Sequence, residues 1–254
     1  MLKGRPTALS APAAALTLPA AALSAPAPAA SAPARPHTAP LAVQGERARY
    51  GTRVAAAAFA AFLALFLAVK ARHSDEVDLA ITLRIQARRH RSLGALMKAA
   101  SWPGFPPQSR LIPPTVIAGL WLLRLRREAA CQGLAWGTAL LSELIKGMVR
   151  RPRPLPEQVR VVIAPLGGSS FPSGHVLTYV GTYGFLAYLA NTLLEPEQVR
   201  RPVVGGLLGL LALVGPSRIY QGHHWPTDVA ASYLLGLSYL IALIALYRRL
   251  HPRA

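Results

Sequence analysis

The chain has 254 residues, a length that suits one domain. Hydrophobic residues make up 52% of it, and 28 Lys and Arg against 10 Asp and Glu give a formal net charge of +18. In a soluble protein such a charge would favour nucleic acid as a partner. Here, however, the arginines stand mainly between apolar runs, where positive charges orient a membrane protein and contact anionic lipid. We therefore expect a lipid bilayer as the partner and no nucleic acid.

The single cysteine, Cys131, excludes an internal disulfide and a cysteine-based metal cage. Residues 1–45 consist mostly of Ala, Pro, Ser and Leu, so we predict a disordered N-terminal segment that cannot bury a core. Lys3 and Arg5 ahead of an Ala/Leu run resemble a signal peptide, although prolines interrupt that run. A start codon assigned too far upstream is the other alternative. Residues 46–254 are predicted to form the membrane domain.

Six apolar runs in this domain each predict a membrane span. They cover residues 54–69, 111–123, 129–149, 174–194, 203–214 and 229–247. The second and fifth runs are short for a bilayer, and each alone could be a buried or re-entrant segment. Within residues 72–110, apolar residues recur at helical spacing, which predicts helices along the membrane interface. The predicted fold class is all-α: a six-helix transmembrane bundle with interfacial helices between the first and second spans.

The order of the spans predicts the orientation of this bundle, because successive spans cross the membrane in opposite directions. The end of the third span, the start of the fourth, the end of the fifth and the start of the sixth face one side. Seven arginines fall on the opposite side, which the positive-inside tendency makes cytoplasmic: Arg124, Arg126, Arg127, Arg200, Arg201, Arg248 and Arg249. We therefore predict a multi-pass membrane protein with cytoplasmic termini and its polar clusters on the outer side. The many positive charges of residues 70–110 would then also lie outside.

The first polar cluster precedes the sixth span and contains Arg218, His224 and Asp228. Because His224 and Asp228 are four residues apart, one helical turn, Asp228 can accept a hydrogen bond from one nitrogen of His224. That bond would fix the tautomer and leave the other nitrogen free to attack. Arg218 is a planar cation suited to an oxyanion. A polar loop with a helix start is the alternative interpretation.

The second cluster closes the third span with Lys146 and Arg153. The prolines that follow should end the helix near Arg151, so that the loop places Arg153. Basic residues at a span end also reach toward lipid headgroups without any catalytic role. Glu143 lies one turn before Lys146, and we expect the two to pair.

The third cluster, Ser173-Gly174-His175, opens the fourth span. Ser173 suits an N-cap, and the free N–H groups after it form an anion site at the positive end of the helix dipole. Gly174 allows an oxyanion to approach the backbone, and His175 can protonate a leaving oxygen. Alone, these residues would be a capped helix with a chance histidine.

Together the three clusters bring cations, a helix N-terminus and two histidines with different roles to one point. This combination predicts nucleophilic attack on a phosphoryl group. The nearby carboxylates are few: Asp228, Glu157 and Glu143. Since Mg²⁺ and Ca²⁺ require several oxygen ligands, we predict a reaction without a metal or other cofactor.

The three motifs resemble a known signature. Lys-x6-Arg-Pro, Pro-Ser-Gly-His and Ser-Arg-x5-His-x3-Asp are similar to the signature of type-2 phosphatidic acid phosphatases, which vanadium haloperoxidases and bacterial acid phosphatases share. The resemblance covers roughly residues 53–250. It implies six helices and an active site on the outer face of the cell's inner (plasma) membrane. It also implies hydrolysis of phosphatidic acid, phosphatidylglycerol phosphate or undecaprenyl diphosphate through a phosphohistidine. It also implies roles for eight residues: His224 as nucleophile, Asp228 as its orienting group, His175 as proton donor, and Lys146, Arg153, Ser173, Gly174 and Arg218 as phosphate ligands.

Three other functions compete with a lipid phosphatase. A lipid phosphotransferase would use the same residues with another acceptor. A vanadate-dependent haloperoxidase shares the signature, but the apolar spans argue against it because the haloperoxidases are soluble. A catalytically silent membrane scaffold would not need the complete set of site residues. The choice of lipid and the oligomeric state stay open at this point.

Overall fold

The structure is a computed structural model that describes residues 41–162 and 167–250. The regular elements in these ranges are all helices, which confirms the predicted all-α class. In chain order they are α1 Leu41–Lys70, α2 Asp75–Ala87, α3 Arg91–Ser101, α4 Gln108–Leu122, α5 Arg126–Trp136, α6 Thr138–Val149, α7 Gly174–Leu193, α8 Glu197–Tyr220 and α9 Pro226–Leu250, with a 3₁₀ turn at Trp102–Gly104. Residues 1–40 of the predicted disordered segment lie outside the described residues. Helix α1 begins at Leu41, ahead of the predicted boundary at residue 46.

The predicted spans are helical, but they differ in length and continuity. Among the described residues, three helical segments are long and apolar enough to cross a membrane: Arg49–Lys70, Glu197–Tyr220 and Pro226–Leu250. The six-span count is therefore confirmed for the first, fifth and sixth spans only. The fifth span is longer than predicted, because α8 runs on through Ser217 and Arg218 to Tyr220.

The third predicted span is two helices instead of one. Helix α5 ends at Trp136 and α6 begins at Thr138. At the junction, the N–H of Gly137 is shared between the carbonyls of Gly133 (3.1 Å) and Leu134 (2.9 Å). Glycine is a weak helix former in a helix interior, so a break at this position costs little.

Helix α7 forms the centre of the bundle. It packs against α5, α6, α8 and α9, and most of its side chains from Val176 to Ala190 are buried. The approach of α9 is close because Gly236 faces Val180: a Cβ at Gly236 would lie 2.8 Å from the Val180 Cβ. Helix α1 packs against α9, and its Phe62 stacks on Phe171, in the loop before α7, with ring centroids 6.3 Å apart.

Helices α2 and α3 confirm the predicted helical structure between the first and second spans. Both pack against α8. Apolar side chains on them remain exposed, among them Val77 (57%), Leu83 (48%) and Leu96 (46%). Their position along a membrane interface stays a prediction.

Candidate active site

One cavity brings the three polar clusters together. It lies where α6 ends, α7 begins and α8 turns into α9, and its volume is about 500 Å³. Six of the eight predicted residues line it: Lys146, Arg153, Gly174, His175, Arg218 and His224. The other two, Ser173 and Asp228, are fully buried and do not line the cavity.

His224 lies in the tight connection between α8 and α9 and is 3% exposed. Its Nδ1 is 2.7 Å from the carbonyl oxygen of Ser170. Because a carbonyl can only accept, Nδ1 carries the proton and Nε2 keeps a free lone pair. Nε2 lies 3.4 Å from Nη1 of Arg153. Burial, followed by the positive charges of Arg218 and Arg153, lowers the pKa of His224 well below its ordinary value, so the ring is neutral.

The loop before α7 turns the Ser170 carbonyl toward His224. The Ser170 N–H donates to the carbonyl of Arg151 at 2.8 Å, and the Ser170 hydroxyl donates to the carbonyl of Pro152 at 3.1 Å. The indole N–H of Trp225 donates to the same Pro152 oxygen at 3.1 Å. The two loops that meet at His224 are thus held together by main-chain acceptors that no motif reveals.

Asp228 does not form the hydrogen bond with His224 that the spacing predicted. Its Oδ2 is 3.7 Å from the His224 Nδ1, which is beyond hydrogen-bonding distance. Instead, Oδ2 accepts from the backbone N–H of Trp225 at 2.9 Å, and Oδ1 accepts from Nη1 of Arg151 at 2.7 Å. The prediction failed because a four-residue spacing brings side chains together only inside a helix, and α9 begins at Pro226, after His224.

Arg151 is a central residue of the site that sequence reasoning used only to mark a helix end. It is 6% exposed, and it donates to Asp228, to Oδ2 of Asp78 at 2.6 Å and to Oδ1 of Asp75 at 3.1 Å. Burial alone would lower the pKa of Arg151, but Asp228 and Asp78 outweigh burial and raise it. Asp78 also accepts from the N–H (2.8 Å) and the hydroxyl (2.6 Å) of Thr227, so helix α2 is tied to the start of α9.

Arg218 contributes a buried cation to the cavity. It is 1% exposed, and its guanidinium lies over the ring of Phe105 at 4.9 Å. Within the described part of the chain, its Nε and Nη1 have no hydrogen-bond partner. Leaving a buried charge unpaired costs several kcal/mol, so the cavity favours an anion at this position. Arg153 lies nearby, and burial lowers its pKa while Asp228 partly opposes that effect.

The predicted pairing of Lys146 with Glu143 is confirmed. The Lys146 Nζ donates to Oε1 of Glu143 at 2.6 Å, but Glu143 is 68% exposed, so this exposed pair holds the ammonium only weakly. The ammonium also faces the start of α7, because a Cβ at Gly174 would lie 3.4 Å from the Lys146 Nζ. A Cβ there would also lie 3.2 Å from the Ser142 Oγ, so the lack of a side chain at Gly174 lets the ammonium lie close to the first turn of α7.

Ser173 occupies the predicted N-cap position of α7, but its hydroxyl does not cap the helix. The backbone N–H of Ser173 donates to Oγ of Ser232 at 2.8 Å. The Oγ of Ser173 and the Nε2 of His175 are buried, and neither has a partner among the residues described. The His175 ring packs edge-on against Phe105 with centroids 4.7 Å apart. His175 and Arg218 both line the cavity, so a phosphate bound there would satisfy the Nε2 of His175.

His223 is fully buried. Its backbone connects two site residues: its N–H donates to the carbonyl of Arg218 at 3.0 Å and its carbonyl accepts from Arg153 at 2.8 Å. Its ring nitrogens have no partner in the described ranges. Burial and then Arg218 lower the pKa of His223 to about 2, so this ring is also neutral.

Comparison with known proteins identifies the family. The family model of the PAP2 superfamily matches residues 129–252, which contain all three motifs. Phosphatidylglycerophosphatase B of Bacillus subtilis (strain 168) is 32% identical over 186 residues, which are 70% of this chain and 87% of the relative. The chain belongs to the PAP2 superfamily.

A second relative and a solved structure agree with this assignment. Undecaprenyl-diphosphatase BcrC of Bacillus subtilis (strain 168) is 30% identical over 127 residues, which are 48% of this chain and 61% of the relative. The crystal structure of a transmembrane PAP2-type phosphatidylglycerolphosphate phosphatase from Bacillus subtilis matches with a TM-score of 0.69 and 25% identity, covering 79% of this chain and 98% of that one. The resemblance found in the sequence is therefore confirmed: the protein is a PAP2 lipid phosphatase and a membrane protein.

Proposed function

We propose that this PAP2 enzyme hydrolyses a phosphomonoester or diphosphate on a membrane lipid through a phosphohistidine on His224. The observation that supports this proposal is the state of the His224 ring. Its Nδ1–H donates to Ser170 at 2.7 Å, so an unprotonated Nε2 is available for attack in the cavity that Arg218 also lines.

In the first step, Nε2 of His224 attacks phosphorus, an N–P bond forms, and the bond from phosphorus to the leaving oxygen breaks. His175 gives a proton to that oxygen. The negative charge on the phosphoryl oxygens is stabilised by side-chain cations and by the first N–H groups of α7. The proposed phosphate ligands are Lys146, Arg153, Ser173, Gly174 and Arg218.

In the second step, water attacks phosphorus, the N–P bond breaks, and the proton of the water returns to His175. Asp228 takes no part in proton transfer in this scheme. Together with Arg151 it holds the backbone of Trp225, and so keeps His224 in line with the phosphorus.

The cavity wall supports a lipid substrate. Away from the cations the cavity is lined by apolar and aromatic side chains of α4, α5 and α7 and of the turn before α4, including Phe105, Pro113, Trp136 and Tyr183. An apolar wall beside a few converging polar groups suits a phosphate carried on an acyl or isoprenyl chain. We propose phosphatidic acid, phosphatidylglycerol phosphate or undecaprenyl diphosphate as the substrate class, in line with the names of the relatives.

The side chains around the cavity favour a reaction without a metal. In the described ranges, no group of three or more His, Cys, Asp and Glu side chains is arranged to hold a metal ion. The positive charges around the cavity come from lysine and arginine side chains, which can take the role that Mg²⁺ has in other phosphoryl transfers.

We further propose that the site lies on the outer face of the inner membrane, because the alternating direction of the spans puts the helix ends that form it on one side. The helix ends that form the cavity are opposite the α4–α5 turn and the end of α9, where Arg126 and Arg248 stand. The positive-inside tendency makes that opposite end cytoplasmic.

Phosphate release from a panel of lipid phosphates by the purified protein tests the substrate class. Adding an acceptor alcohol and analysing the products separates hydrolysis from transfer. Rapid quench in alkaline denaturant tests the intermediate: labelled phosphate should be trapped on His224 and then be released by acid. Label on His223, or on protein carrying His224→Ala, would contradict the proposal.

A further inference from the structure

A second, strongly basic groove lies apart from the catalytic cavity. Its volume is about 690 Å³, and it lies between α3, the end of α8 and residues 160–162. It shares no lining residue with the catalytic cavity. Four cationic side chains line it and no carboxylate does among the described residues: Arg89, Arg91, Lys98 and Arg160. We name it the basic groove.

Arg160 is the one cation of the basic groove whose charge is partly withdrawn from solvent. Its Nε and Nη2 are buried and have no hydrogen-bond partner in the part of the chain that the structure describes. Its guanidinium lies over the ring of Tyr220 at 4.6 Å. Stacking on an aromatic ring orients the guanidinium plane but leaves its N–H donors unsatisfied, so an anion in the groove would bind them.

Two neighbours fix the backbone of Arg160. The side-chain amide of Gln86 donates to the Arg160 carbonyl at 2.8 Å and accepts from the Arg160 N–H at 2.9 Å. Gly222 has φ +72°, and a Cβ there would clash with the Arg160 carbonyl oxygen, so a larger residue would push this segment away. Arg160 is therefore held in place, whereas an ordinary surface arginine would move freely.

We propose that the basic groove is a second anion site that binds a phosphate group. Four cations with no opposing carboxylate match the charge of a phosphate, and the planar fork of Arg160 can bind two of its oxygens. Two sources of phosphate can reach the groove. One is the headgroup of an anionic lipid, because α3 also exposes Leu96 at the same end of the molecule. The other is inorganic phosphate, which the proposed reaction releases.

The groove is connected to the loop that carries His224. Gln221 lines the groove, and its carbonyl accepts from the N–H of Val162 at 3.0 Å. An anion bound by Arg160 would hold this pairing in place, so binding should raise the thermal stability of the enzyme. This second site does not depend on the identity of the nucleophile.

Lipid binding is measured by native mass spectrometry of the full chain in detergent with phosphatidylglycerol as the probe and phosphatidylcholine as the uncharged reference. Arg160→Gln should weaken retention of phosphatidylglycerol about tenfold, as expected for the loss of a charge-assisted hydrogen bond. Lys98→Gln, at an exposed position where folding is not at risk, should weaken it about threefold. Arg84→Gln, an exposed charge of α2 outside the groove, is the matched control and should leave retention unchanged.

Inorganic phosphate is the second probe, read out as a rise in Tm. If lipid retention depends on Arg160 and Lys98, the source is a lipid headgroup. If retention is the same in all variants but phosphate raises Tm less in Arg160→Gln and Lys98→Gln than in Arg84→Gln, the source is free phosphate. Responses to both probes that are equal in the wild-type protein and in all three variants would overturn the proposal.

Discussion

Replacing Asp78 by Asn should slow turnover, although this residue comes from α2 and does not line the catalytic cavity. The Asp78 carboxylate is 0% exposed and binds the Arg151 guanidinium at 2.6 Å. It also accepts from the N–H of Thr227 at 2.8 Å, at the start of α9. An amide at position 78 would keep one acceptor oxygen but turn an N–H₂ donor toward the cation.

The expected loss follows from the burial of this ion pair. Removing one partner of a buried pair costs about 3–5 kcal/mol, and the lower end applies here because Asp228 still pairs with Arg151. For a chain of this size, about 3 kcal/mol corresponds to a fall in Tm of about 6–12 °C. A shift of His224 by about 1 Å would reduce kcat on the order of a hundredfold. KM should change much less, since Asp78 does not contact the cavity.

Asp75 provides the matched control, because it binds the same guanidinium at 3.1 Å but is 53% exposed. Asp75→Asn should cost less than about 1 kcal/mol, as exposed ion pairs do. The assay compares Tm in detergent, kcat and KM for the two variants with a lipid phosphate substrate. If Asp78→Asn and Asp75→Asn have the same Tm and kcat, α2 does not hold the site as we infer.

Three further predictions concern the reaction and its orientation. His224→Ala should lose on the order of a thousandfold or more in kcat because the attacking group is gone, whereas His223→Ala should keep most activity; the reverse order in steady-state assays would refute the assignment. EDTA should leave activity largely intact and orthovanadate, which mimics the five-coordinate phosphoryl group, should inhibit; activity lost in EDTA and restored by Mg²⁺ would contradict the metal-free proposal. In a Cys131→Ala background, an impermeant thiol reagent applied to intact cells should label a cysteine placed at Gly167 but not one at Gln198, and the opposite pattern would invert the topology.

The site residues at helix ends could be predicted from the sequence because their positions depend on local structure. Lys146 lies in the last turn of α6, Gly174 and His175 in the first turn of α7, and Arg218 in the last turn of α8. Apolar periodicity sets the helices, and prolines and glycines mark where they end. The order of the helices was enough to predict that these ends meet, because successive spans run in opposite directions.

The choice among neighbouring arginines could not be predicted in the same way. Arg150, Arg151 and Arg153 are close in sequence, and composition does not separate them. Arg150 has φ +52° and closes α6 with a bond from its N–H to the carbonyl of Lys146 at 3.1 Å. This turn redirects the chain so that Arg151 points into the protein, where it meets Asp228. Such a backbone conformation is uncommon for a residue other than glycine, and no sequence rule assigns it to Arg150.

Asp78 shows why a local signature describes only part of the site. It is 149 residues away from Thr227 in the sequence, and it precedes residue 129, where the match to the PAP2 family model begins. Yet Asp78 and Asp228 share the Arg151 guanidinium, so the aspartate of the third motif is held in place from outside the family match. Asp228 can therefore fix the backbone of Trp225 only while α2 is packed against the start of α9. It follows that α2, which its apolar spacing assigned to the membrane interface alone, also carries part of the structural support of His224.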